Sequence, residues 1–275
     1  MKIHQYIFLV ISILSLGACS STKQSAESNV PAVINSNRSI PQTFDSFEID
    51  KFENVYLIKE NQLKKIDQLT ANIATYENDR YGEITSIDVT NPQKILVFYQ
   101  LYDIIVTLDN SLAETSIIDL KRFEYTDINV IAASNDNNIW LYDPVTFTLR
   151  KINKNGKVLA ESFNLYTLYL DQVDPDILIE HGNKVYMNSP NDGVLVFDNL
   201  GQYIKLLPLT SLSDMQVLNG NTIFLNDEGP QSYLSKQLEI VPIKELENLE
   251  GYKQLRISKT MFYLGYDDGI DVVKR

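Results

Sequence analysis

Acid–base, nucleophilic and metal chemistry need histidine, cysteine or grouped carboxylates, and this 275-residue chain has few of the first two: His4, His181 and Cys19. A Ser-His-Asp triad, or a metal site built from several imidazoles, would have to rest on His181 alone beyond the amino-terminal segment. His181 lies in "EHGNK" and reads as an exposed turn histidine. No Gly-rich phosphate loop or Walker pattern occurs. Carboxylates remain. Asp88, Asp136 and Asp227 are the candidates for a pair flanking a glycosidic bond. "SNDNN" (134 to 138), "NDEG" (226 to 229) and "YDDG" (266 to 269) bring Asp and Asn together. None matches an Asp-x-Asp-x-Asp-Gly calcium loop, and all read as turns capped by their own side chains. No catalytic residue, metal ligand or cofactor is therefore assigned. Tyr166 and Tyr169 in "FNLYTLYLD" (163 to 171) lie in a long connection, where they serve either protein contact or packing between units.

The elements that must position these residues recur. Apolar, β-branched and aromatic runs begin near Val55, Ile95, Ile139, Val185, Ile223 and Phe262, at spacings of 40, 44, 46, 38 and 39. Each is followed by a second strand-like segment, such as "DIIVTLD" or "GVLVFD", and most by a turn and a third. A weaker leading strand precedes each set, for example "ITSIDVT" or "DMQVLNG". Four antiparallel strands per unit, six units, predict an all-β, six-bladed β-propeller over residues 43–275. The sixth unit stops at Arg275 after three strands, so "SIPQTF" (39 to 44) is expected to supply the missing outer strand and close the ring. The alternative, a two-sheet sandwich, does not account for the even spacing.

"VLVFDNLGQYI" resembles the signature of NHL-type propeller blades, with "LRKINKNGKVL" as a looser copy, while "VTLDNSLAET" and "YLSKQLEIVP" depart from it. The resemblance implies a fold and no activity, because propellers host many functions.

The amino end carries Lys2, an apolar run from Tyr6 to Leu16, then Gly17, Ala18 and Cys19. The run is too short to span a bilayer and reads as a secretory signal over residues 1–18. "LGAC" resembles the lipobox of bacterial lipoproteins. The resemblance implies cleavage after Ala18, a diacylglycerol thioether on Cys19 and a protein held on the membrane by its acyl chains. Ser20 and Ser21 in place of aspartate point to the outer membrane, with the body periplasmic or surface-exposed. Residues 19–42 are rich in Ser and Asn and read as a flexible tether.

The chain has net charge −12, and loss of Lys2 with the signal makes it −13. That disfavours nucleic acid and anionic headgroups as partners. With no long acidic run, the charge reads as dispersed. The expected function is a non-catalytic scaffold that binds an envelope or outer-membrane protein. The alternative is a ligand binder, or a carbohydrate- or lactone-acting enzyme, working through the propeller channel.

Overall fold

The structure is a computed structural model that describes residues 38–168 and 173–275; Cys19, the signal segment and Tyr169 lie outside the described residues. Among the described residues the chain forms six antiparallel sheets in sequence order. The first contains β1 (Ser46–Ile49), β2 (Val55–Lys59), β3 (Gln62–Ile66) and β4 (Ile73–Glu77). The second contains β5 (Ser86–Asp88), β6 (Ile95–Tyr99), β7 (Ile104–Leu108) and β8 (Glu114–Asp119). The third is β9 (Ile131–Ala133), β10 (Ile139–Asp143), β11 (Thr148–Ile152) and β12 (Val158–Glu161). The fourth is β13 (Ile177–His181), β14 (Lys184–Ser189), β15 (Gly193–Asp198) and β16 (Tyr203–Leu207). The fifth is β17 (Asp214–Leu218), β18 (Asn221–Asn226), β19 (Gly229–Leu234) and β20 (Glu239–Pro242). The last has three strands, β21 (Gln254–Ile257), β22 (Met261–Tyr266) and β23 (Gly269–Lys274). This is the expected six-bladed propeller.

The second strand of each blade shows why blades stack. Successive side chains leave a strand on opposite faces. Ile95, Val97 and Tyr99 of β6 meet Tyr56 and Ile58 of the first blade, while Leu96 and Phe98 meet Ile139 and Leu141 of the third. Trp140 and Tyr142 then face Val185 and Met187. The same alternation continues to Tyr263, which packs with Val55 and Leu57 and closes the circle. A strand that is apolar on both faces needs a neighbour on each side, and only a ring provides one at every blade.

The missing outer strand of the last blade is a short clasp. Ile40 exchanges backbone hydrogen bonds with Ile270, at 2.9 and 3.0 Å. Arg38 binds Asp268 at 2.8 Å and Asp271 at 2.7 Å, and its guanidinium lies 3.5 Å from the Tyr266 ring centre. "SIPQTF" therefore closes the ring through one bridge rather than a full strand. The clasp draws in Arg38 to Gln42, part of the segment read as tether.

Strand order gives the disc two faces. Turns between second and third strands share a face with the connections between blades, and one bond repeats there. Ile84, Leu120, Leu165, Ser211 and Ile243 each donate their backbone N–H to a carbonyl in or beside that turn: Glu60, Asp103, Phe147, Pro190 and Pro230. We call this the loop face. Turns after first and third strands form the opposite turn face.

Candidate functional site

The innermost strands surround a central channel of about 800 Å³. Its wall is polar because each inner strand bonds to its own blade on one edge only, and side chains satisfy the other. Gln254 accepts from the Phe47 N–H at 2.9 Å and donates to the Phe47 carbonyl at 2.8 Å, as a peptide group would. Gln216 does the same to Ile257, at 2.9 Å each way. Asp88 accepts from the Ala133 N–H at 2.7 Å, and Asp214 from the Leu255 N–H at 2.8 Å. Glu180 takes the Ser134 hydroxyl at 2.6 Å, the Asn135 N–H at 3.1 Å and the Trp140 indole N–H.

Arg256 is the strongest of these links. Its guanidinium grips Glu48 of the first blade at 2.7 and 2.6 Å, and Asp214 of the fifth at 2.7 Å. Burial pushes the Glu48 carboxyl above the usual glutamate range even though Arg256 opposes this. Burial lowers the Arg256 pKa, but the charges of Asp214 and Glu48 outweigh that, so the guanidinium stays charged. Its Nε, Nη1 and Nη2 are all engaged.

The sequence candidates separate. Asp88 lines the channel. Asp136 lies outside it in the β9–β10 turn, paired with Lys151 at 3.0 Å, and Asp227 is exposed in the β18–β19 turn on the opposite face. Asp88 and Asp136 belong to neighbouring blades, one in the channel wall and the other outside it, and Asp227 lies on the other face. Burial alone would raise the Asp136 pKa, but bonds from Lys151 and Asn138 help bring it down to about 2. His181 is not a free turn residue. It ends β13, lines the channel and is half-buried, and burial lowers its pKa. "YDDG" serves structure: Asp268 holds Arg38, and Asp267 pairs with Lys253 at 2.6 Å. Among the described residues no group of three or more His, Cys, Asp or Glu is placed to hold a metal ion.

Charge is not dispersed. On the loop face Arg38, Lys59, Lys121 and Lys253 are each paired to a carboxylate, while exposed Lys244 has no ion-pair partner among the described residues. Glu83, Glu124, Asp127, Asp174, Asp227 and Glu250 are exposed there and lie in no ion pair. The turn face carries Lys51, Lys94, Lys184 and Lys259 on its first turns, with Lys274 and Arg275 at the end of β23. The signal was present in the sequence as lysines falling at one phase of the repeat. Net charge conceals it.

The loop face also bears an aromatic ledge. Phe147 from the β10–β11 turn meets Tyr166 from the connection to the fourth blade, and exposed Val145 lies in the same turn as Phe147. The Phe147 and Tyr166 rings are 5.8 Å apart, and Tyr166 is 66 % exposed. Tyr166 therefore does not pack between blades. Phe147 adopts φ +56°, a left-handed conformation that costs a bulky side chain energy.

No family model matches the chain, and no curated protein matches it. Solved structures share its fold. The extracellular domain of a protein described as a one component system from B. thetaiotaomicron is 15% identical with a TM-score of 0.56. The match covers 82% of this chain and 32% of that one, so this chain spans about a third of that protein's length. A protein of unknown function from Bacteroides caccae is 14% identical with a TM-score of 0.54, covering 77% of this chain and 82% of that one. A catalytically inactive histidine-to-alanine variant of virginiamycin B lyase from Staphylococcus aureus, with quinupristin, is 11% identical with a TM-score of 0.58, covering 87% and 83%. At these identities the likeness is one of fold.

Proposed function

We propose that this protein is a non-catalytic propeller, lipid-anchored at Cys19 in the outer membrane, that presents its loop face to a protein of the cell envelope. The observation that carries the reading is the ledge of Val145, Phe147 and Tyr166, exposed on a face whose free charge is acidic. Exposed aromatic groups supply large, rigid contact area, and Tyr and Phe are enriched at protein interfaces. Around it, unpaired carboxylates favour a partner with a basic rim. The channel supports the same reading, since Arg256, Gln216 and Gln254 hold blades together and are not free to act on a substrate.

The test is a cross-linked pull-down from membranes of the tagged protein, run beside Cys19→Ala and Tyr166→Asp. The reading expects one envelope protein with the parent chain and its loss in both variants, with Tyr166→Asp still at the membrane. Equal recovery from all three would remove it.

A second reading, a channel-based ligand binder or carbohydrate- or lactone-acting enzyme, is favoured by half-buried His181 in the wall of an open cavity. The likeness to a lyase whose histidine variant is inactive adds to it. Turnover of a lactone or glycan substrate abolished by His181→Ala would establish it in place of the first.

A further inference from the structure

We propose that the turn face is a docking surface for an anionic phospholipid bilayer. Lys51, Lys94, Lys184 and Lys259 lie on this face at the first, second, fourth and sixth blades, with Lys274 and Arg275 at the end of β23. The two elements at the end of the chain are brought together when the Arg275 N–H donates to the Thr260 carbonyl at 2.8 Å, which sets the terminal cations beside Lys259. Lys94 is the one partly buried member, and its ammonium donates to the Asn137 carbonyl at 2.5 Å. None of the six takes part in an ion pair among the described residues.

Most carboxylates of this face are engaged; exposed Glu239, at the start of β20, has no ion-pair partner among the described residues. Glu53 accepts the hydroxyls of Ser258 and Thr260 at 2.5 and 2.7 Å, and buried Asp50 binds Asn54 and Tyr56. Asp136 is paired with Lys151, while Asp67, Asp109 and Asp198 accept N–H groups of their own turns. Their charge is held close to the structure, while most of the lysines reach outward. Phe52, 62 % exposed beside Lys51, adds an aromatic group of the kind that settles at headgroup level.

A net negative protein repels an anionic surface only if its negative charge is felt there. A five-residue inner strand such as β13 rises roughly 3.3 Å per residue, so along it the loop face lies ~16 Å away. That is about two Debye lengths at physiological salt, and the loop-face carboxylates are largely screened. The occupant is assigned as lipid rather than nucleic acid or an acidic protein because the cations are spread over four blades and stand with an exposed aromatic tip, Phe52.

The inference does not rest on a lipid at Cys19, and the test removes that variable. The full chain bearing Cys19→Ser is mixed with vesicles of phosphatidylcholine alone, or with 30 mol% phosphatidylglycerol, and partition is measured by sedimentation. Binding to the anionic vesicles is expected to be at least about tenfold stronger and to fall with added salt. Lys184→Glu/Lys259→Glu/Lys274→Glu in the same chain should weaken it about a hundredfold with an unchanged melting midpoint. The apolar amino-terminal segment is common to both proteins, so the difference reports the face alone. If the triple variant does not fold, Lys184→Gln/Lys259→Gln replaces it, with about a tenfold loss expected. Equal partition into both vesicle types, or no loss in the variants, overturns the proposal. Retention on an anionic polymer such as heparin with no binding to the anionic vesicles also overturns it.

Discussion

The guanidinium of Arg256 in the last blade and the carboxylate of Glu48 in the first meet through two bonds of 2.7 and 2.6 Å, so the ring is closed from inside the channel as well as at its rim. Breaking one partner of such a link leaves the other enclosed and unpaired. Arg256→Met leaves both Glu48 and Asp214 in that state and should cost about 3 kcal/mol, read as a shift in the urea midpoint. Adding Glu48→Gln to Arg256→Met should cost less than the two single changes combined.

The rim closure makes a separate prediction. Gly269 has φ +147°, and a Cβ there would lie 2.3 Å from the Ile40 carbonyl oxygen. Gly269→Ala should therefore open the Ile40–Ile270 bridge at a cost of about 2 kcal/mol. Hydrogen exchange should accelerate at the Ile40 and Ile270 amides, while that at buried Ile139 stays slow. Protection unchanged at Ile40 would show that the clasp contributes nothing.

Acid should act partly through Asp136. Its folded pKa of about 2 lies below the usual aspartate value, so its contribution is present near neutral pH and is lost as pH falls from about 4 to 2. Asp136→Asn should lower stability at pH 7 and flatten the acid limb of a stability–pH curve in that window. An unaltered acid limb would contradict the role given to Lys151 and Asn138.

Phe147 separates stability from contact. Its left-handed backbone suits asparagine better, so Phe147→Asn should leave the melting midpoint equal or raise it, by the equivalent of about 1 kcal/mol. The same change removes half of the aromatic ledge and should abolish capture of the envelope partner. A fall in both would mean that Phe147 is a structural residue.

The fold was largely legible because blade stacking leaves its mark on every second strand. Runs such as "ILVFY" must be apolar on both faces, and their spacing counts the blades. The closing segment was placed by the same logic, although its single bridge was not, since pairing depends on how Gly269 and Ile270 approach it. The wall of the channel was hidden. Gln216 and Gln254 look like ordinary polar strand residues until the neighbouring inner strands, with their unpaired peptide groups, are set beside them. Asp136 and Asp227 were grouped with Asp88 on composition, and the turn phase that sets Asp227 apart from the other two is the same phase that gathers the lysines.

Site-specific photocross-linking in growing cells tests the central claim most directly. A photoreactive residue replaces Val145 on the loop face or Asn183 on the turn face of the full chain. The account predicts one discrete protein adduct from position 145, absent with Cys19→Ala, and no matching adduct from position 183. The same protein adduct from both positions, or none from 145, would contradict it.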